Sequence, residues 1–291
     1  MATTKKSQAK SKTAKKTVSK RTTSRSASTS RAVKSTSVAK SSRKTAGRFS
    51  LHSLNVVAGV VALVSAVAAA LLMNSRSYQL FTGLATKDPF TGNFAPALHS
   101  VYDIELRWAV VVIMVLAAVV PLLAATRNRR QYEAALKSKV MLWRWIDIGI
   151  ISALMLEVIA LLSGVQDIVV LKIVALLIVV TALLSWLTEK HQAEDHRNVM
   201  GTYWLAFVTG ALPWLLIASY AVGTLVWGMV HAPWYVYALY ATTLLGGLNY
   251  AMTLRGSLRG GNYESTERRY QVGAILTKLA FVVILIVGLH K

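Results

Sequence analysis

Residues Gly273 to Gly288 read GAILTKLAFVVILIVG, a run that is apolar except for Thr277 and one lysine, Lys278. An ammonium group within a segment suited to hydrocarbon costs several kcal/mol unless something holds it there. The run is the last of seven apolar segments, each of about 20 residues and long enough to cross a ~30 Å hydrocarbon core. They are Leu51–Met73, Leu106–Ala125, Met141–Ser163, Ile168–Leu187, Gly201–Val222, Pro233–Leu254 and Gln271–Leu289. The pattern predicts an all-α bundle of seven transmembrane helices.

Composition agrees. The 291 residues are 54% hydrophobic and only 15% charged, where soluble domains carry about 25% charge. The basic excess is uneven: the first fifty residues hold 15 of the 33 Lys and Arg and no acid. Residues 1–48, rich in Lys, Ser, Thr and Ala, lack the apolar content that drives folding, and they read as a disordered tail. Such a tail suits a solvated topology anchor, contact with anionic lipid head groups or, less well, nucleic acid. The seven-helix domain then spans 49–291. The absence of cysteine excludes disulfides and thiolate-ligated metals. No nucleophile–base pair, metal cluster or phosphate loop points to an enzyme. The longest connection, Asn74 to Glu105, carries GLATKDPFTGNFAP, whose Gly, Pro and Asp-Pro signals suit turns or a short hairpin.

Orientation follows from the loops. The second, TRNRRQYEAALKSK, has five basic residues and one acid; the sixth, LRGSLRGGNYESTERRYQ, has four and two. The fourth, TEKHQAEDHRN, is mixed, whereas the first, third and fifth are poor in Lys and Arg. By the positive-inside rule the N-terminus and the even loops are cytoplasmic and the C-terminus is extracellular.

Few ionisable residues fall within these segments. Lys172 and Arg107 sit near segment ends and can snorkel. Lys278 lies nine residues beyond Arg269, ~13 Å deep. Asp147 lies eight residues beyond Lys139 on the third segment, ~12 Å deep from the same side, and Glu157 lies ~15 Å further on. Depth therefore pairs Lys278 with Asp147. Such a pair serves a proton or ion relay, a lysine condensed with an aldehyde whose cation needs a carboxylate, or a plain salt bridge locking two helices.

Several stretches, in order, resemble the heliorhodopsins, seven-helix retinal proteins with the N-terminus inside. These are LNVVAG in the first helix, RWID in the third, WLTEKH after the fourth, TGALPW in the fifth and YVYALYATTLLGGLN in the sixth. ERRY, eight residues before Lys278, completes the set, so that the likeness covers the chain from Leu54 onward. The resemblance implies a rhodopsin-like bundle in which Lys278 carries all-trans retinal, covalently bound as a protonated Schiff base. It implies Asp147, at a position normally Glu, as counterion. Ser152, Met155, Pro213, Trp214 and Asn249 are the implied pocket residues. Each also has a structural role open to it: a serine bonding its own backbone, packing at a Pro-Trp kink, an asparagine bonding between helices.

The chain departs from the family where two histidines correspond to Ala62 and Pro121, a serine to Ala274, a tryptophan to Val283 and an asparagine to Ile178. These replacements predict a drier, less polar surround for Lys278 and argue against an efficient proton relay on its cytoplasmic side. The implied function is light sensing and signalling without net ion pumping. The implied assembly is a homodimer in the cell membrane, with an unidentified cytoplasmic signalling partner. The alternatives are a light-driven or light-gated ion transporter, with Glu157 as its second protonatable group, and a seven-helix relative that has lost photoactivity.

Overall fold

A computed structural model describes residues 50–195, 199–229 and 231–290. The basic tail expected over 1–48 lies outside the described residues. Elements follow in the order α1 Leu51–Leu72, β1 Ser77–Lys87, β2 Phe94–Glu105, α2 Leu106–Ala125 and α3 Arg129–Ser138. Next come α4 Leu142–Asp147, a π-helical turn Ile148–Ser152, and α5 Ala153–Leu162. The remaining helices are α6 Ile168–Asp195, α7 Met200–Val226, α8 Trp234–Leu258 and α9 Tyr263–Leu289. The stretch from α4 through α5 is one span, so the described residues form seven long helices, with the β-hairpin between the first and second and α3 between the second and third.

Helix starts are set by short polar side chains. Ser50 Oγ accepts from Ser53 N at 3.1 Å, and Asp167 Oδ1 accepts from Val169 N at 2.7 Å. Asn262 Oδ1 accepts from Glu264 N at 3.0 Å and from Ser265 N at 3.3 Å. These bonds satisfy amide donors that a helix's first turn leaves unpaired. Six of the seven spans are long and apolar enough to cross a membrane. The exception, α8, is 25 residues long, but Tyr235, Tyr237, Tyr240, Thr242, Thr243, Gly246, Gly247 and Asn249 dilute its apolar content. Outward-facing Val60, Val64, Leu71, Leu176, Leu215 and Leu276 are exposed along the bundle, a pattern that fits a lipid solvent and not water.

Neighbours in the bundle are α1 with α2, α6 with α7, α8 with α9, and α9 back to α1. The third span is the most buried of the six and packs on α2, α6 and α8. The hairpin is longer than the short one expected from the turn signals. Ser77 pairs with Glu105 and Lys87 with Phe94, with a register shift between Leu80 and Phe81. Phe81 N donates to Gln166 O at 2.9 Å, which ties the hairpin to the α5–α6 turn. Gly164 makes that turn possible at φ +94, a left-handed value that costs a residue with a Cβ.

Helices α8 and α9 approach closely through small residues. A Cβ on Gly246 would meet Thr277 at 2.8 Å, and one on Gly273 would collide with the Asn249 amide. Small residues are what allow two membrane helices this contact. Gly273→Leu is therefore expected to lower stability by about 1–3 kcal/mol, the usual cost of overpacking. Thermal unfolding in detergent reads it, and a melt unchanged from wild type would show that the α8–α9 seam has room to spare.

Candidate functional site

Lys278 on α9 and Asp147 at the end of α4 meet in the bundle interior. Lys278 Nζ donates to Asp147 Oδ1 at 2.8 Å and to Oδ2 at 2.9 Å. The side chains are 12% and 8% exposed, respectively. Tyr270, two turns before the lysine on α9, donates its hydroxyl to Asp147 Oδ2 at 2.7 Å. Asp147 stands immediately before the π turn. One extra residue per turn there rotates everything that follows relative to an unbroken α-helix, a local irregularity common at functional sites. Sequence reading did not single out Tyr270 as a partner, although it lies in the quoted ERRY.

One turn from Asp147, at the end of the bundle that carries the basic connections, lies a group of charges that sequence reading missed. Arg144 is 3% exposed, Glu189 3% and Glu267 1%. Arg144 Nη2 donates to Glu189 Oε1 in a very close contact, and Nη1 donates to Glu267 Oε2 at 2.9 Å. Glu189 also accepts from Trp145 Nε1 at 2.8 Å, Met141 N at 3.3 Å and Tyr263 Oη at 3.2 Å. Glu267 Oε1 accepts from Tyr132 Oη at 3.1 Å and from Gln271 Nε2 at 3.4 Å. Gln271 Nε2 donates further to Tyr132 Oη at 2.6 Å and Asn55 Oδ1 at 3.0 Å. The guanidinium stacks over Trp145 at 4.9 Å from the ring centre and faces Tyr263 and Tyr270 at 5.6 Å. Burial first, and then the Glu267 charge beside it, pushes the Tyr132 hydroxyl well above the ordinary tyrosine range, so it stays a donor.

The sequence places Glu267 in the sixth loop, but α9 begins at Tyr263 and carries it into the interior, one turn before the seventh apolar segment starts. Within the second loop, α3 turns Tyr132 inward. Ala62, Pro121 and Ala274, the residues from which a drier surround for Lys278 is expected, line the space next to it. The same space is nevertheless lined by Asn55, Tyr132, Arg144, Glu267 and Gln271. The loss of polar residues close to the lysine therefore does not make this half of the bundle apolar.

A second cavity, of about 240 Å³, is lined by Ile148 and Thr277, the chain neighbours of Asp147 and Lys278, and by neither member of the pair. Ser152, Met155 and Trp214 line it, together with Ile178, Tyr250 and Thr277, the residue that precedes Lys278. Pro213 is buried inside α7 but is not part of this wall. Asn249 is not part of it either; its amide packs against Gly273 on α9. Mostly apolar and aromatic walls with a few hydroxyls suit a long apolar chromophore. At the hairpin end, Glu157 and Lys172 line a third cavity with Trp108 and Tyr102. Among the described residues neither charge has a hydrogen bond or ion pair.

A helical membrane bundle with a lysine–carboxylate pair between its third and seventh spans, beside an apolar cavity, defines the rhodopsin class of fold. It is similar to the crystal structure of the light-driven proton pump Coccomyxa subellipsoidea rhodopsin CsR, with a TM-score of 0.55 and 15% identity, over 82% of this chain and 96% of that one. A comparison with curated protein sequences finds no match. The heliorhodopsin family model matches residues 51–288. The chain belongs to the heliorhodopsin family, which makes it an integral membrane protein of the retinal-binding kind.

Proposed function

We propose that this heliorhodopsin is a photoreceptor in which all-trans retinal is bound covalently to Lys278 as a protonated Schiff base, with Asp147 as counterion. The observation that carries this reading is the contact of Lys278 Nζ with both Asp147 oxygens, next to an apolar cavity walled by Thr277. Retinal, when bound, supplies visible absorption and a light-driven isomerisation. The chain's own residues then do the rest. Asp147 holds the positive charge at Nζ, and Tyr270 orients Asp147 through its second oxygen. Ser152, Met155 and Trp214 shape the cavity, whereas Pro213 and Asn249 act from behind its wall by fixing α7 and the α8–α9 seam.

In this reading the basic end of the bundle and the N-terminus face the cytoplasm, and the C-terminus is extracellular. The output is signalling without net ion transport or enzymatic turnover, from a homodimer to an unidentified cytoplasmic partner. The basic tail adds contact with anionic lipid head groups. One observation favours the second reading, an ion carrier: Glu157 lines the hairpin-end cavity without an ion-pair partner among the described residues.

The test is expression with all-trans retinal. A visible band is expected in the wild type and none in Lys278→Ala, with helical circular dichroism retained in both. A folded wild type that takes up no retinal overturns the reading. Illuminated cells are expected to show no sustained change in external pH; a sustained change that Glu157→Gln abolishes would select the carrier.

A further inference from the structure

We propose that Glu267 is the group that takes up a proton released at Lys278 Nζ, through water held in the cavity between them. The inference rests on the reading of Lys278 as the retinal lysine. A cavity of about 50 Å³ is lined at once by Lys278, Asp147, Ser65, Asn55, Gln271 and Glu267. One water needs roughly 10–15 Å³ of such space, so the cavity has room for water. Three buried polar atoms of residues on its walls, Asn55 Nδ2, Gln271 Oε1 and Arg144 Nε, have no hydrogen-bond partner among the described residues. Buried polar groups are rarely left so, and water is the usual partner. Lys278 and Glu267 are eleven residues apart on α9, ~16 Å along the helix axis, so the cavity joins two groups that cannot touch.

Charge selects the acceptor. Arg144 faces two carboxylates, Glu189 and Glu267, so the cluster carries one negative charge in excess and a single proton neutralises it. Glu189 is enclosed by Arg144, Trp145, Tyr263 and the Met141 amide and does not line the cavity. Glu267 does line it, and faces Arg144, Tyr132 and Gln271. Asp147, the nearest carboxylate, already accepts from Lys278 on both oxygens and from Tyr270. In the step the N–H bond at Nζ breaks, a proton passes along the waters, and an O–H bond forms on Glu267. Nζ goes from positive to neutral and the Arg144 cluster from minus one to zero; the return reverses both changes.

Time-resolved infrared difference spectroscopy on the full retinal-loaded chain tests this. A protonated-carboxyl stretch is expected to rise as Nζ deprotonates, to vanish in Glu267→Gln and to stay in place in Asp147→Glu. Deprotonation in Glu267→Gln is expected to slow by at least ~100-fold, the scale of a lost proton-transfer partner. Gln271→Leu leaves both carboxylates and the Arg144 pairs in place; it is expected to slow the same step while the stretch persists, and serves if Glu267→Gln does not fold. A stretch unchanged in Glu267→Gln, one that shifts with Asp147→Glu, or unaltered rates in Gln271→Leu would overturn the proposal. A wild type that forms no visible band removes the assignment of Lys278 and this inference with it; a band with unaltered kinetics in Glu267→Gln removes only the acceptor.

Discussion

Arg144→Gln is expected to destabilise the protein by about 3–5 kcal/mol, the cost of stranding buried charge. Counting side chains alone, Arg144 is 1% exposed and the two glutamates that it holds are each 2% exposed. Removing it leaves Glu189 and Glu267 facing each other in the interior with only neutral donors around them. Thermal unfolding in lipid nanodiscs, followed by tryptophan fluorescence, reads the loss. The triple change Arg144→Met, Glu189→Gln, Glu267→Gln is expected to recover much of it, because neutral packing of similar volume often matches a buried ion pair. A control is the exposed pair of Arg129 and Glu133, with side chains 58% and 54% accessible. Glu133→Ala should cost no more than about 0.5 kcal/mol, as solvent and salt screen such pairs. Arg144→Gln melting together with the wild type would show that water already reaches the cluster.

Much of the bundle was legible in the sequence because hydrocarbon imposes one simple rule, namely apolar segments of about 20 residues. The contact of Lys278 with Asp147 was legible too, since helical rise turns residue counts into depths on two helices entering from the same side. That arithmetic fails where a helix runs past its apolar core. Glu267 falls within the basic sixth loop LRGSLRGGNYESTERRYQ, and the sequence does not show which of its charges turn in; the structure turns Arg268 to the rim, 25% exposed, and Glu267 inward. For Arg144 the same holds: only the converging helices bring Glu189 and Glu267 across from it. The motifs RWID, WLTEKH and ERRY were noticed as strings. Their physical reason, one shared buried cluster, needs three helices in space. The π turn after Asp147 and the packing of Asn249 against Gly273 leave no sequence signal, because each depends on how neighbouring helices seat.

Asp147→Asn should have the largest spectroscopic effect of any change that leaves Lys278 in place. At 2.8 Å and an effective dielectric of ~20, the Lys278–Asp147 attraction is about 6 kcal/mol. The Tyr270 hydrogen bond to the same carboxylate contributes about 0.5–1.5 kcal/mol net. The asparagine keeps the volume but turns an acceptor-only group into one whose amide also presents donors to Nζ. The retinal-loaded variant is therefore expected to absorb at longer wavelength, or to exchange its visible band for a near-ultraviolet one at neutral pH. Tyr270→Phe, which keeps the carboxylate and deletes one donor, is expected to shift the band by much less. Asp147→Glu, with the charge retained on a side chain one methylene longer, should stay visible and close to wild type. The order Asp147→Asn far above Tyr270→Phe would show that charge, and not hydrogen bonding, governs the site. An unchanged spectrum in Asp147→Asn would reject Asp147 as counterion, and equal shifts in Asp147→Asn and Tyr270→Phe would make the hydroxyl a co-equal partner.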